Sequence, residues 1–202
     1  MNLFKKTVCV VLMLTVVLGL TACASKLTHK NMVSFLEDQK YDDYDDPEDY
    51  FAIYGRIAGG MTRDEGAYIT CTKRDAQDIY DVVFNRFNTY PTYDVTEATT
   101  FAYNDKDGLY IGFLFTFEDA KKAGKLYKKY SREHADDGES GEKNGITYTI
   151  ECGETSKKRY SICGVYQKDD VVMIIRGLSA DKDFSDDFCK AFGVISPTTA
   201  ED

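Results

Sequence analysis

The stretch Leu109-Tyr110-Ile111-Gly112-Phe113-Leu114-Phe115-Thr116-Phe117 constrains the fold more than any other part of this chain. Leu109, Ile111, Phe113, Phe115 and Phe117 recur at every second position, the period of a strand with one buried face. Just before it, Thr99-Thr100-Phe101-Ala102-Tyr103-Asn104 is rich in strand formers, and Asp105-Lys106-Asp107-Gly108 supplies turn chemistry between the two. A β-hairpin is predicted, and a lone hairpin needs further strands or helices to cover its apolar face.

Those elements are legible on either side. Ala67-Tyr68-Ile69-Thr70-Cys71-Thr72 reads as a strand, and residues 75–87 as a helix with Ala76, Ile79, Tyr80, Val83 and Phe87 on one side. After the hairpin a second helix is expected, capped by Thr116 with Asp119 three residues on, burying Ala120, Ala123, Tyr127 and Tyr130. A polar loop follows, then strands near 146–152, 159–167 and 171–177, the last two joined by a tight turn at Lys168-Asp169-Asp170. A final helix over 183–192 buries Phe184, Phe188 and Phe192 and stops at Gly193. The order β-α-β-β-α-β, extended by β-β-α, predicts an α+β fold: an antiparallel sheet with helices on one face, built on a ferredoxin-like (split βαβ) core with extra strands. A cystatin-like curved sheet around one helix is the alternative. Hairpin-then-helix occurs at 99–130 and again at 159–192, a weak internal echo.

Upstream, residues 27–39 predict a short amphipathic helix with Thr28 as N-cap, Leu27 and Met32 at the positions of a hydrophobic staple, and Met32, Phe35 and Leu36 on its apolar side. Residues 41–50, YDDYDDPEDY, crowd six carboxylates and three tyrosines together. Asp46-Pro47-Glu48-Asp49 within them is a helix start: an acid at the cap, proline at the first helical position, further acids beside the positive end of the dipole. A calcium loop of the EF-hand kind needs a glycine and a distal glutamate that this run does not have, so loose divalent binding by Asp42, Asp43 and Asp45 is the lesser reading. Tyr50, Phe51 and Tyr54 give that helix apolar surface before Gly55, and residues 55–66 read as a glycine-containing linker.

The N-terminus reads as an export signal: Lys5 and Lys6, an apolar run from Val8 to Leu20, then Leu20-Thr21-Ala22-Cys23. The run is shorter than the roughly 20 residues a membrane span takes. Leu20-Thr21-Ala22-Cys23 is similar to the lipobox of bacterial lipoproteins, which implies diacylglyceryl attachment at Cys23 and cleavage before it. The expected division is a signal peptide over 1–22, a lipidated arm over 23–65, an α+β domain over 66–195 and a tail over 196–202. Cleavage would remove Lys5 and Lys6 and no acid, taking the formal charge from −9 to −11. Such acidity excludes a nucleic-acid surface and leaves the lipid, not charge, as the membrane attachment.

Four cysteines follow Cys23: Cys71, Cys152, Cys163 and Cys189. A symmetric hairpin about Lys157-Lys158 sets Cys152 opposite Cys163, a possible disulfide. A register one residue off puts them on opposite faces, and four buried thiols are the other reading. His29 and His134, the only histidines, have no neighbouring nucleophile in sequence and read as surface residues. No catalytic constellation, cofactor motif or zinc spacing emerges. Lys121, Lys122, Lys125, Lys128 and Lys129 form a basic run that reads as the solvated side of the second helix.

The lipobox, the short capped helix ending in Glu37-Asp38-Gln39-Lys40-Tyr41, the strand-helix-hairpin-helix and the terminal helix together resemble the small uncharacterised surface lipoproteins of Gram-positive anaerobic bacteria. What the resemblance implies is an anchored position on the extracytoplasmic face of the cell membrane, and it carries over no site residue but Cys23. The expectation is a non-enzymatic envelope protein binding a protein or peptide partner, with a solute- or glycan-binding accessory module as the alternative.

Overall fold

The structure, a computed structural model, describes residues 26–84, 90, 93–155, 158–180 and 182–200. The expected signal peptide over 1–22, Cys23, Phe87 and Lys157 lie outside these residues.

The hairpin forms as its sequence demands. Strands β3 (Val95–Asn104) and β4 (Gly108–Phe117) pair antiparallel. Asp105 closes the turn, its Oδ1 accepting from the backbone N–H of Asp107 at 2.8 Å and of Gly108 at 2.7 Å. Around it lies one sheet, with β1 (Asp42–Tyr44), β2 (Glu65–Thr72), β5 (Glu139–Lys143), β6 (Ile146–Glu154), β7 (Tyr160–Lys168) and β8 (Val171–Ser179), in the order β1-β2-β3-β4-β8-β7-β6-β5. Among the described residues, only β1 and β2 run parallel. The helices are α1 (His29–Asp38), α2 (Pro47–Ala58), α3 (Lys73–Phe84), α4 (Ala120–His134) and α5 (Asp183–Phe192).

The α+β class holds, whereas the expected single covered face does not. Phe113, Phe115 and Phe117 of β4 pack under α2, α3 and α4 with Ile69, Ala102 and Ile174. The alternate residues Tyr110 and Leu114 are also buried, against Phe101, Met173 and Ile175 and under α1 and α5. A strand buried on both sides loses clean apolar-polar alternation, which is why β4 reads as a nearly unbroken apolar run. Gly112 belongs to this arrangement, since a Cβ there would overlap the ring of Phe101 on the neighbouring strand.

The split βαβ unit is not the core. Such a unit joins two parallel strands with a third between them, but β2, α3 and β3 connect direct antiparallel neighbours. Five helices spread over two faces likewise differ from a cystatin-like sheet around one helix. Nor is the internal echo a packing repeat: α4 follows β4 onto one face, and α5 follows β8 onto the other.

Residues expected as an arm belong to the fold. Met32 and Leu36 of α1 and Tyr50 and Ile57 of α2 are fully buried. Thr28 caps α1 as predicted, accepting from Asn31 N–H, and Asp46 caps α2, accepting from the N–H of Glu48 at 2.8 Å and Asp49 at 3.1 Å. α2 runs through Gly55 to Ala58, so the expected linker begins only at Gly59. The tail contributes as well, with Pro197 buried beside β6 and β7. Two strands escaped the apolar pattern: β5 is a charged, exposed edge strand, and β1 is three residues long. Asp119 rather than Thr116 caps α4, its side chain accepting from Lys122 N–H, and Ala120 is exposed.

Candidate functional site

α2 and α3 cover the β1–β4 half of one sheet face, while α4 lies over β4, β8 and β7. Between them the sheet is left open, forming a groove of about 1230 Å³. Its floor is Ile111 and Phe113 of β4 with Arg176 of β8. One wall is α2, where Phe51 and Tyr54 present their rings, and the groove is widened at Gly55, around whose missing Cβ nothing lies within 4 Å. α3 contributes Phe84 and Val82 with Asp78 and Asp81 on the rim, and α4 contributes Tyr130 and His134. Tyr90 completes the α4 side: its hydroxyl donates to Glu133 Oε2 at 2.5 Å, and Lys129 Nζ sits 4.5 Å from its ring centroid. The rings of Phe84, Tyr90 and Tyr130 pack against one another with centroids 5.1 to 6.4 Å apart, giving the groove an ordered aromatic wall.

Arg176 stands in phase with Val172 and Ile174 on a strand that is otherwise apolar from Val171 to Leu178. It pairs across the sheet with Ile111 on one side and Cys163 on the other. Its guanidinium donates to the Tyr130 hydroxyl, and its charge is felt by Tyr54, Cys163 and His134. Burial pushes the Tyr54 phenol up to about 12, against the pull of Arg176. His134 is moved the other way, lowered by burial and then by Arg176, so its imidazole is neutral at pH 7. The site thus offers apolar rings, one fixed cation and acids only at the rim.

The other expected site residues are placed elsewhere. Cys152 pairs with Ile162, and Cys163 with Glu151, so a one-residue register difference sends the two thiols to opposite faces and no disulfide joins them. Cys71, Cys152, Cys163 and Cys189 are all buried thiols. Burial, then Asp75 and Asp46, push the Cys71 thiol up to about 11, leaving it protonated at neutral pH. His29 is not a surface residue: it is 7% exposed, with Nδ1 2.8 Å from Thr99 Oγ1 and Nε2 3.0 Å from Thr116 Oγ1. The acids of residues 41–50 serve β1 and the α2 cap, and among the described residues no group of three His, Cys, Asp or Glu side chains is spaced to hold a metal. In the basic run Lys122 bridges Asp94 at 2.7 Å and Glu118 at 2.6 Å, while Lys121, Lys125 and Lys128 face solvent.

Sequence reasoning missed Arg176 and with it the groove. The available signal was a lone arginine at the inward phase of Val171-Val172-Met173-Ile174-Ile175-Arg176, where a charge needs an explanation. The chain is thus an open α+β sheet layered between helices, with an aromatic groove over Arg176. Comparisons with protein-family models, curated proteins and solved structures find no match to this chain.

Proposed function

We propose that this is a lipid-anchored bacterial envelope protein, held on the extracytoplasmic face of the cell membrane by a diacylglyceryl group on Cys23, that works by binding a peptide rather than by catalysis. The observation that carries the binding reading is the groove. At about 1230 Å³ it exceeds the roughly 300–1000 Å³ of common small-molecule sites, which suits a peptide better than a sugar or a single solute. Its aromatic walls give apolar contact at low entropic cost. The non-catalytic reading is supported by a Cys71 thiol held at about 11 and by a His29 whose two ring nitrogens are engaged by threonine hydroxyls.

Two experiments test the parts separately. Cys23→Ala should release the protein from the membrane fraction and abolish incorporation of labelled palmitate; retention without label would remove the lipid anchor. For the groove, Gly55→Leu fills space that nothing occupies and replaces glycine with a better helix former, so it should unfold at an equal or higher temperature while blocking the site. Wild-type protein is expected to enrich sequences from an immobilised random hexapeptide pool, and Gly55→Leu to lose that enrichment. Equal enrichment by both proteins would move the site elsewhere.

A further inference from the structure

The charge of Arg176 identifies what the groove takes, on the premise that the groove is the binding site. The chain carries 34 acids, yet among the described residues no carboxylate forms an ion pair with this guanidinium. Its neighbours across the sheet are Ile111 and Cys163, and the helices above bring Tyr54, Tyr130 and His134. Glu151 occupies the position beyond Cys163, two strands away from Arg176, a backbone separation of about 9.6 Å. Arginine keeps its proton and presents five N–H donors in a rigid fork, and the Tyr130 hydroxyl takes only one direction of it. A half-buried cation so placed is costly to hold without an anionic acceptor, and the fork matches a carboxylate in bidentate geometry.

We infer that Arg176 receives the carboxylate of the bound peptide, and that the peptide enters by its free C-terminus. The carboxylate lies on the guanidinium with the Tyr130 hydroxyl beside it. The last side chain, aromatic or large and aliphatic, packs against the lining rings of Phe51 and Tyr54. The chain then leaves past Asp78 and Asp81 on the α3 rim, where acids disfavour a second carboxylate and favour a basic residue. Such polarity distinguishes a chain end from an internal segment, because the backbone of an internal segment brings no anion to the floor.

The test uses the full-length chain in detergent micelles and three N-acetylated tripeptides measured by isothermal titration calorimetry: alanyl-leucyl-phenylalanine as its free acid, the same peptide as its C-terminal amide, and alanyl-glutamyl-phenylalanine amide. The free acid should bind at least about tenfold more tightly than its amide, as expected for a charge-assisted bidentate pair. Arg176→Gln should erase that difference, and Arg176→Lys, which keeps the charge and loses the fork, should retain part of it. The acid-to-amide comparison is made on wild-type protein, so it stands even if Arg176→Gln folds poorly. Equal binding of acid and amide, with both lost in Gly55→Leu, would overturn the carboxylate assignment and leave the groove reading standing. Affinity restored by the glutamyl amide would overturn the C-terminal assignment in favour of a side-chain carboxylate. No binding of any tripeptide would overturn this inference, and the hexapeptide selection would still decide the groove reading.

Discussion

His29 makes the protein acid-sensitive in a narrow and calculable window. Its imidazole is buried between Thr99 and Thr116, and burial lowers its pKa from 6.5 to about 4. A folded value below the unfolded one means that the unfolded chain takes up the proton first, so the contribution is whole above pH 6.5 and is lost as pH falls to about 4. Hydroxyl oxygens accept more strongly from an imidazolium than from the neutral ring, so the two threonines can only reduce the shift that burial produces. Among the described residues Glu97, 3.9 Å away, is the one acid in ion-pair range, and its side chain is 39% exposed, so it offsets little. Each pKa unit is worth about 1.36 kcal/mol, which sets a ceiling of about 3.4 kcal/mol for the whole interval and about 2.5 kcal/mol between pH 7.5 and pH 4.5. Carboxylates titrate in the same range, so the measurement is a double difference: urea unfolding of wild type and of His29→Gln at both pH values. Wild type should lose about 2.5 kcal/mol more than the variant on acidification. A double difference below about 0.5 kcal/mol, or a His29 ring proton titrating near 6.5 by NMR, would refute the reasoning.

Two further outcomes follow from packing. Gly112→Ala should destabilise the protein by about 1–3 kcal/mol in urea unfolding, because its Cβ would overlap the fully buried Phe101 ring, which has no free volume to enter; an unchanged midpoint would mean the two central strands can shift apart. The thiols of Cys71, Cys152, Cys163 and Cys189 should resist a thiol reagent in native protein and all react in denaturant without reductant, whereas a missing equivalent in denaturant would reveal a disulfide.

What was legible in the sequence and what was not divide along the range of the interactions. Thr28 and Asp46 as caps, the Asp105 turn, the end of α5 at left-handed Gly193 and the inward phase of the phenylalanines on β4 were all readable, because each rests on contacts within about four residues or on a period of two. Cap, turn and period say nothing, however, about what an element meets. The Cys152 and Cys163 register was settled by the sheet as a whole: shifting β6 against β7 by one residue would turn Ile146, Tyr148 and Ile150 away from the core under α5. β5 carries no apolar alternation, and its strand state comes from pairing to β6. His29 looked like a surface residue until α1 closed over β3 and β4, and nothing local marked Arg176, which only the placement of α2 and α4 turns into the floor of a groove. Hydrogen-bonding and apolar periodicity along the chain determined which elements form. Burial, which depends on residues far apart in sequence meeting on one face, decided the two-sided sheet, the buried histidine and the groove.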